Sequence, residues 1–289
     1  MTAATEAAPG GRPAPFDARL EALAALIRRH SPVTVLTGAG VSTASGIPDY
    51  RDGDGRFKQR SPMQYREFMS GEAARRRYWA RSFVGWPRFA AARPNGAHLA
   101  LAELAVRGHV HALVTQNVDG LHRRAGQARV IDLHGRLAEV VCIGCGAVIP
   151  RAALQQRLAR LNPGFEAVGV AAAADGDAQL EHGYHDFAVA DCAACGGVLK
   201  PNVVFFGEAV PRSRVERAFA AVAAGGALLV VGSSLMVFSG YRFCREAHAR
   251  GAPVIVVNRG RTRADGEAGL KIEDDCGAVL EALVSLLPA

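Results

Sequence analysis

Val33-Thr34-Val35-Leu36-Thr37-Gly38-Ala39-Gly40 couples a β-branched run directly to a glycine turn. A short run with no polar alternation is the pattern of a strand buried on both faces, as in a parallel sheet. Upstream, Leu20, Leu23, Ala24 and Ile27 recur at helical spacing, which predicts a helix over residues 16–30 that Ser31-Pro32 ends. Downstream, similar strands are expected at residues 112–115, 227–232 and 253–258, preceded by helices such as 97–107 and 214–224. This alternation predicts an α/β fold, a Rossmann-like, doubly wound parallel sheet.

With 289 residues, the chain has room for a substantial core. Hydrophobic residues make up 49% and charged residues 21%, and no apolar run reaches the roughly 18 residues of a membrane helix. Residues 1–15, rich in Ala, Gly and Pro, are expected to form a disordered tail and not a secretion signal. The net charge of +7 favours acidic ligands, but the basic residues are mostly scattered Arg, clustering only at Arg75, Arg76 and Arg77. A solvated basic face accounts for that pattern as readily as an acidic partner does.

Two stretches break the strand and helix alternation. The expected sheet domain comprises residues 16–51, 96–135 and 201–289; residues 52–95 form an inserted helical and cofactor-loop module, and residues 136–200 a zinc-binding module. Within the latter, residues 167–177 lack periodicity and are predicted to be a flexible loop.

Cys142-x-x-Cys145-Gly146 and Cys192-x-x-Cys195-Gly196 each place two thiols on one knuckle, with glycine at the turn. Two such pairs predict a tetrahedral four-thiolate zinc site with no open position, hence a structural ion that cannot activate water. A disulfide pair or a redox Cys-x-x-Cys is the competing reading. His182 and His185 are surplus to a filled shell and are expected at the surface. Reduced cysteine pairs without a secretion signal also predict a cytoplasmic protein.

Gly38 and Gly40 would permit a tight turn and let main-chain N–H groups approach a pyrophosphate. Taken alone they fit a tight connection equally well, and Thr43 departs from the Gly-x-Gly-x-x-Gly pattern. The longer segment Thr37-Gly38-Ala39-Gly40-Val41-Ser42-Thr43-Ala44-Ser45-Gly46-Ile47-Pro48-Asp49-Tyr50-Arg51 resembles the cofactor-binding signature of the sirtuins, the NAD-dependent lysine deacylases. The resemblance continues, in the family's order, through Thr115-Gln116-Asn117-Val118-Asp119-Gly120-Leu121-His122 and Leu133-His134-Gly135. It then takes in the cysteine pairs, Lys200-Pro201, Val204-Phe205-Phe206-Gly207-Glu208, Gly232-Ser233-Ser234-Leu235 and Val257-Asn258. Tyr78-Trp79-Ala80-Arg81 and Phe83-Val84-Gly85-Trp86-Pro87 resemble the class II branch.

The resemblance implies NAD as co-substrate, one structural zinc, and acyl-lysine proteins or peptides as substrates. In the chemistry it implies, the acyl oxygen attacks the nicotinamide ribose and expels nicotinamide. His134 matches the family's general base, taking a proton from a ribose hydroxyl, and Asn117 joins it as the second catalytic residue. Gln116, Asn117, Val118 and Asp119 would hold the nicotinamide ribose and carboxamide. Gly38, Ala39, Gly40, Ser42, Asp49, Tyr50 and Arg51 would line or cover the nicotinamide side, where many members carry Phe in place of Tyr50. Gly232, Ser233 and Ser234 would hold the phosphates and adenine ribose, Asn258 with Arg259 and Gly260 the adenosine, and Cys276 the adenine. Val204, Phe205, Gly207, Glu208 and Val237 would line the substrate peptide, clamped by strand addition. Tyr78 and Arg81, three apart on a helix, echo the pair with which some members bind an acidic acyl chain.

Local readings remain beside these roles. His134 could be structural, Asn117 to Gly120 and Asn258 could be turn residues, and Tyr78 with Arg81 could be a packed aromatic and a solvated cation. Protein mono-ADP-ribosylation is the alternative reaction. A basic zinc ribbon binding nucleic acid, with the NAD pocket as a sensor, is the alternative from another class. That last reading needs clustered cations and stacking aromatics near the knuckles, and residues 140–150 offer neither.

Overall fold

A computed structural model describes residues 16–58, 62–165 and 183–288. The expectations for residues 1–15 and 167–177, and for His182, lie outside the described residues. Six strands, β1 (Val33–Thr37), β2 (Val110–Thr115), β3 (Val130–Asp132), β7 (Leu228–Val231), β8 (Val254–Val257) and β9 (Ala268–Ile272), form one sheet in the order β3-β2-β1-β7-β8-β9. All its pairings are parallel. Counted along the chain the six run 3-2-1-4-5-6, the dinucleotide-binding order whose switch point falls between β1 and β7.

Both faces of this sheet are covered, which is why its central strands lack polar alternation. Val33, Val35, Leu229, Val231, Ile255 and Val257 face helices α1 (Phe16–His30), α4 (Gly96–Val106) and α9 (Cys276–Leu286). Leu36, Val114, Leu228, Val230 and Val256 face α7 (Arg212–Ala224) and α8 (Phe238–Ala249). Each fully buried Val, Leu or Ile contributes on the order of 1.5–3 kcal/mol. The expected strands and helices appear within a residue or two of their predicted ends, as fraying allows. Strand β9 was not anticipated: Ala268-Gly269-Leu270-Lys271-Ile272 is a half-exposed edge strand with a glycine and no β-branched run.

After the glycine turn, Ala39–Ser45 is a 3-10 helix closed by the left-handed Gly46.

The second sheet is antiparallel and has the order β5-β4-β6, with β4 (Gly135–Cys142), β5 (Val148–Pro150) and β6 (Leu199–Val203). Helix α6 (Arg151–Leu161) packs against it, while α2 (Tyr65–Met69) and α3 (Glu72–Ala91) come from the other insertion. Phe68, Tyr78 and Trp79 share one apolar cluster with Leu154, Phe187, Cys142 and Leu199, so α2 and α3 share a common core with α6 and the second sheet. Buried Arg151 reinforces that junction. Its guanidinium donates to the Ser82 carbonyl at 3.2 Å and lies over the rings of Trp79 and Trp86 at 5.5 and 5.0 Å.

Candidate active site

A cleft of about 970 Å³ opens at the β1/β7 switch point, lined by the segments that follow β1, β2, β7 and β8 and by residues 204–210. Gly38 and Gly40 are required there by close approach. A Cβ on Gly38 would come within 2.7 Å of Ser233 Cβ, and one on Gly40 within 2.9 Å of the Gly232 carbonyl oxygen. Their own N–H groups are used within the fold: Gly38 N donates to Val231 O at 3.1 Å and Gly40 N to Gly232 O at 2.9 Å. The physical reason is that two strand-end loops meet at the switch point and satisfy each other's backbone.

The cleft brings together most of the residues singled out in the sequence. Gly38, Ala39, Gly40, Asp49, Tyr50, Arg51, Gln116, Asn117, Val118, His134, Gly232, Ser233, Ser234, Asn258, Arg259, Gly260 and Cys276 line it. Val204, Phe205, Gly207, Glu208 and Val237 line it as well. Ser42 and Asp119 instead line an adjoining cavity of about 30 Å³, shared with Ala39, Ile47, Tyr50, Gln116, Asn117 and Val118. Asp119 is tied down within it, accepting from Ser42 Oγ at 2.8 Å and from Leu121 N at 2.8 Å, while burial raises its carboxyl pKa. Asn117 Nδ2 donates to Gly38 O at 3.0 Å and to Ser42 Oγ at 3.1 Å, binding the β2 loop to the β1 loop.

Tyr78 and Arg81 do not line the cleft. The Tyr78 ring is buried among Phe68, Trp79 and Phe205, with centroids 5.2 to 5.4 Å away. Helical spacing put the pair on one face without showing that Tyr78 packs into the cluster of Phe68, Trp79 and Phe205, while Arg81 is half-buried. The packed-aromatic alternative describes Tyr78.

His134 stands at the end of β3, immediately before β4. Its Nδ1 lies 2.9 Å from the Gln116 carbonyl oxygen and its Nε2 lies 2.8 Å from Ser239 Oγ. A carbonyl only accepts, so Nδ1 carries the proton and Nε2 presents a lone pair. Burial, then the nearby Arg242 and Arg214 guanidinium groups, press its pKa down to about 4 against the Gln116 hydrogen bond. The imidazole is therefore neutral near pH 7 and can act as a base.

Several contributors escaped the sequence reading. Thr37 donates its hydroxyl to Thr115 Oγ1 at 2.9 Å, and Thr115 Oγ1 accepts from Asn117 N at 3.1 Å. His122, buried below, puts Nε2 2.9 Å from Thr37 Oγ1. Lys58 pairs with Asp49 at 2.5 Å, and Arg51 donates to Gly55 O at 2.6 Å while lying over Phe57. These contacts close the 49–58 loop over the cleft, and Arg261 N pins it through Gly53 O at 2.9 Å. Lys200, 6% exposed, bonds Val203 O at 2.6 Å and Glu208 Oε2 at 3.0 Å, shaping the Val204 to Glu208 wall. Long-range pairings of this kind leave no periodic signal, although Ser239 and Arg242 belong to the strand-end-to-helix segment after Gly232.

The four cysteines converge. Their sulfur atoms all lie within 4.8 Å of one another, with Cys142 and Cys195 Sγ 3.5 Å apart and Cys145 and Cys192 Sγ 3.8 Å apart. A tetrahedral zinc–thiolate cage has sulfur atoms about 3.8 Å apart, given bonds of about 2.3 Å. Such separations exclude disulfides, whose S–S bond is about 2 Å. Gly146 and Gly196 take positive φ of 75° and 70° at the knuckles, and a Cβ on Gly197 would come within 3.0 Å of Cys142 Sγ. The residues fit zinc. His185 is exposed and stacks on Tyr184, as expected of a residue outside the shell.

Comparison with known proteins agrees with this geometry. The family model described as "Sir2 family" matches residues 38–239. An NAD-dependent protein deacetylase of Bordetella bronchiseptica is 54% identical over 92% of this chain and 97% of its own length. NAD-dependent protein deacetylase 1 of Streptomyces coelicolor is 48% identical over 90% of this chain and 87% of its own. Among solved structures, Sir2 with a p53 peptide and NAD+ superposes with a TM-score of 0.76 at 28% identity, covering 92% of this chain and 97% of that one. A Sir2 protein bound to a propionylated peptide gives 0.74 at 28% identity, over 92% and 98% of the respective chains. With the family's motifs lining one switch-point cleft and its four cysteines gathered into one cage, the chain belongs to the Sir2 family.

Proposed function

We propose that the protein is an NAD-dependent protein lysine deacylase that transfers the acyl group from lysine to ADP-ribose and releases nicotinamide. The observation that carries this reading is the neutral His134 imidazole in the wall of the switch-point cleft, its Nδ1 fixed by the Gln116 carbonyl and its Nε2 accepting from Ser239 Oγ, which lines the same cleft. NAD, when bound, supplies the electrophilic ribose carbon, so the protein needs no nucleophile of its own. Its residues must position, exclude water and move a proton.

Asn117 and Asp119, held by Ser42 and the Thr115 hydroxyl, are placed to orient the nicotinamide end; Asp49, Tyr50 and Arg51 cover it. Gly232, Ser233, Ser234, Asn258, Arg259 and Gly260 would hold the phosphates and adenosine, with Cys276 toward the adenine end. Asn258 spends Nδ2 on Arg259 O at 2.7 Å, so it also shapes its own turn. Val204, Phe205, Gly207, Glu208 and Val237 form opposing walls for an extended acyl-lysine peptide. Apolar Val204, Phe205 and Val237 on these walls support deacetylation, while Tyr78 and Arg81 lie outside the cleft lining.

Residues 16–51, 96–135 and 201–289 form the NAD-binding domain in this reading, with 52–95 and 136–200 inserted. Membership of the class II branch rests on residues 78–81 and 83–87. Reduced thiols at the zinc knuckles favour a cytoplasmic location, and among the described residues no helix is long and apolar enough to cross a membrane.

Nicotinamide release across a panel of acyl-lysine peptides, with products identified by mass spectrometry and His134→Ala as control, tests the function. The expected product is O-acyl-ADP-ribose, and ADP-ribosylated protein in its place would favour the transferase alternative. Folded, NAD-binding protein that releases no nicotinamide with any acylated peptide would overturn the reading.

A further inference from the structure

Ser239 lies in the first turn of α8, lines the cleft, and is 9% exposed. Its hydroxyl sits 2.8 Å from the nitrogen that the deacylase reading requires as the base. Because Nδ1 of His134 must donate to the Gln116 carbonyl, the proton in the second hydrogen bond belongs to Ser239, and the Nε2 lone pair is already occupied. A ribose hydroxyl thus meets Ser239 on its way to His134. Direct access would require the serine to give up this bond with its backbone fixed in a helix turn. A hydroxyl, however, has an O–H to give and lone pairs to receive with, so it can pass a proton without leaving its place.

Resting on the deacylase reading, we propose that Ser239 is a further catalytic residue, a proton relay between a ribose hydroxyl of the bound dinucleotide and Nε2 of His134. In the relay the ribose O–H bond breaks as a new O–H bond forms at Ser239 Oγ. The original Ser239 O–H bond breaks as an N–H bond forms at Nε2. The electron pair of the broken bond stays on the ribose oxygen, serine is neutral before and after, and the imidazole becomes imidazolium. The imidazolium then donates from Nδ1 to Gln116 O and from Nε2 to Ser239 Oγ, so neither N–H is left unpaired in a confined site. Arg242 and Arg214, the charged groups that face the ring from α8 and α7, oppose the imidazolium and favour its later release of the proton.

The test uses zinc-loaded Ser239→Ala and Ser239→Thr. In the ligand-free protein, 15N NMR should show the His134 Nε2 resonance moving when Ala removes the accepted hydrogen bond and returning with Thr. With NAD and an acetyl-lysine peptide, exchange of labelled nicotinamide, which precedes use of the base, should persist in Ser239→Ala. Formation of O-acetyl-ADP-ribose should fall by about a hundredfold or more, the size of general acid–base contributions, and recover in Ser239→Thr. The solvent-isotope proton inventory, curved for two protons in flight, should become linear in the Ala variant. Equal product formation in Ser239→Ala and the parent, or parallel loss of exchange and product, overturns the relay and leaves the deacylase reading standing. Absence of nicotinamide exchange in the parent protein overturns that reading, and the relay with it.

Discussion

Gly40 donates its backbone N–H to the carbonyl oxygen of Gly232 at 2.9 Å, joining the loops after β1 and β7 where the strand order reverses. The contact defines the floor of the cleft and leaves no room for a side chain. Gly40→Ala should force the loops apart, lowering stability by about 1–3 kcal/mol and weakening NAD at least several-fold. Calorimetric titration with NAD, alongside urea denaturation, checks both; unchanged affinity would show that the floor is not part of the dinucleotide site.

Protonation of His134 should be visible near pH 4 and not near 6.5, given its burial and the adjacent arginines. Arg242→Gln removes one of the opposing charges, so the ring should titrate at higher pH in that variant. NMR titration of the free protein reads the shift directly. A downward movement would contradict the assigned electrostatics.

His98, fully buried against His122 with ring centroids 4.7 Å apart, has its pKa lowered by burial to about 4. An unfolded histidine takes its proton near 6.5, so between pH 6.5 and 4 the unfolded chain binds more protons than the folded one. Stability from this group is fully present above 6.5, declines through that window, and is flat below it; the full difference is about 3 kcal/mol. His122 shifts in the same direction, through burial and then the neighbouring His98. Urea midpoints should fall from pH 7.5 to pH 4.5, and His98→Asn should flatten that slope.

Strand β4 begins at Gly135, next to His134, and ends at Cys142, so one strand ties the base to the cysteine cage. Strand β6 returns from the cage and delivers Val204, whose N–H bonds the His134 carbonyl at 2.8 Å. Chelation, or Cys142→Ser, should therefore abolish deacylation although zinc does no chemistry, and should lower the melting temperature. Metal analysis of the parent should give one zinc per chain. Retained activity after complete zinc loss would refute the coupling.

Glu208→Ala would strip the partner from Lys200, leaving a buried ammonium beside the Val203 carbonyl. Removing one member of a buried pair costs about 3–5 kcal/mol, and here the strain falls on the Val204 to Glu208 wall. The peptide KM should rise several-fold while NAD affinity changes little. Steady-state kinetics with peptide varied and NAD saturating separates this from a general loss of folding.

Local pattern was enough to read the sheet, its central strands and the zinc knuckles, whereas most cleft residues were named through the family resemblance. Burial on both faces erases polar alternation in β1, β7 and β8, and paired Cys-x-x-Cys knuckles have few other uses, so both leave their mark in adjacent residues. Edge strand β9 left no such mark because most of its positions are only partly buried. Tertiary structure alone decided which neighbours share a site. It sent Tyr78 into the core with Phe205, spent the Gly38 and Gly40 amides on the β7 loop, and set Ser239 against a histidine more than a hundred residues away in sequence. The reason is physical: periodicity records which face of an element is buried, whereas a hydrogen bond between strand ends is created only when the chain closes and has no footprint in the order of residues.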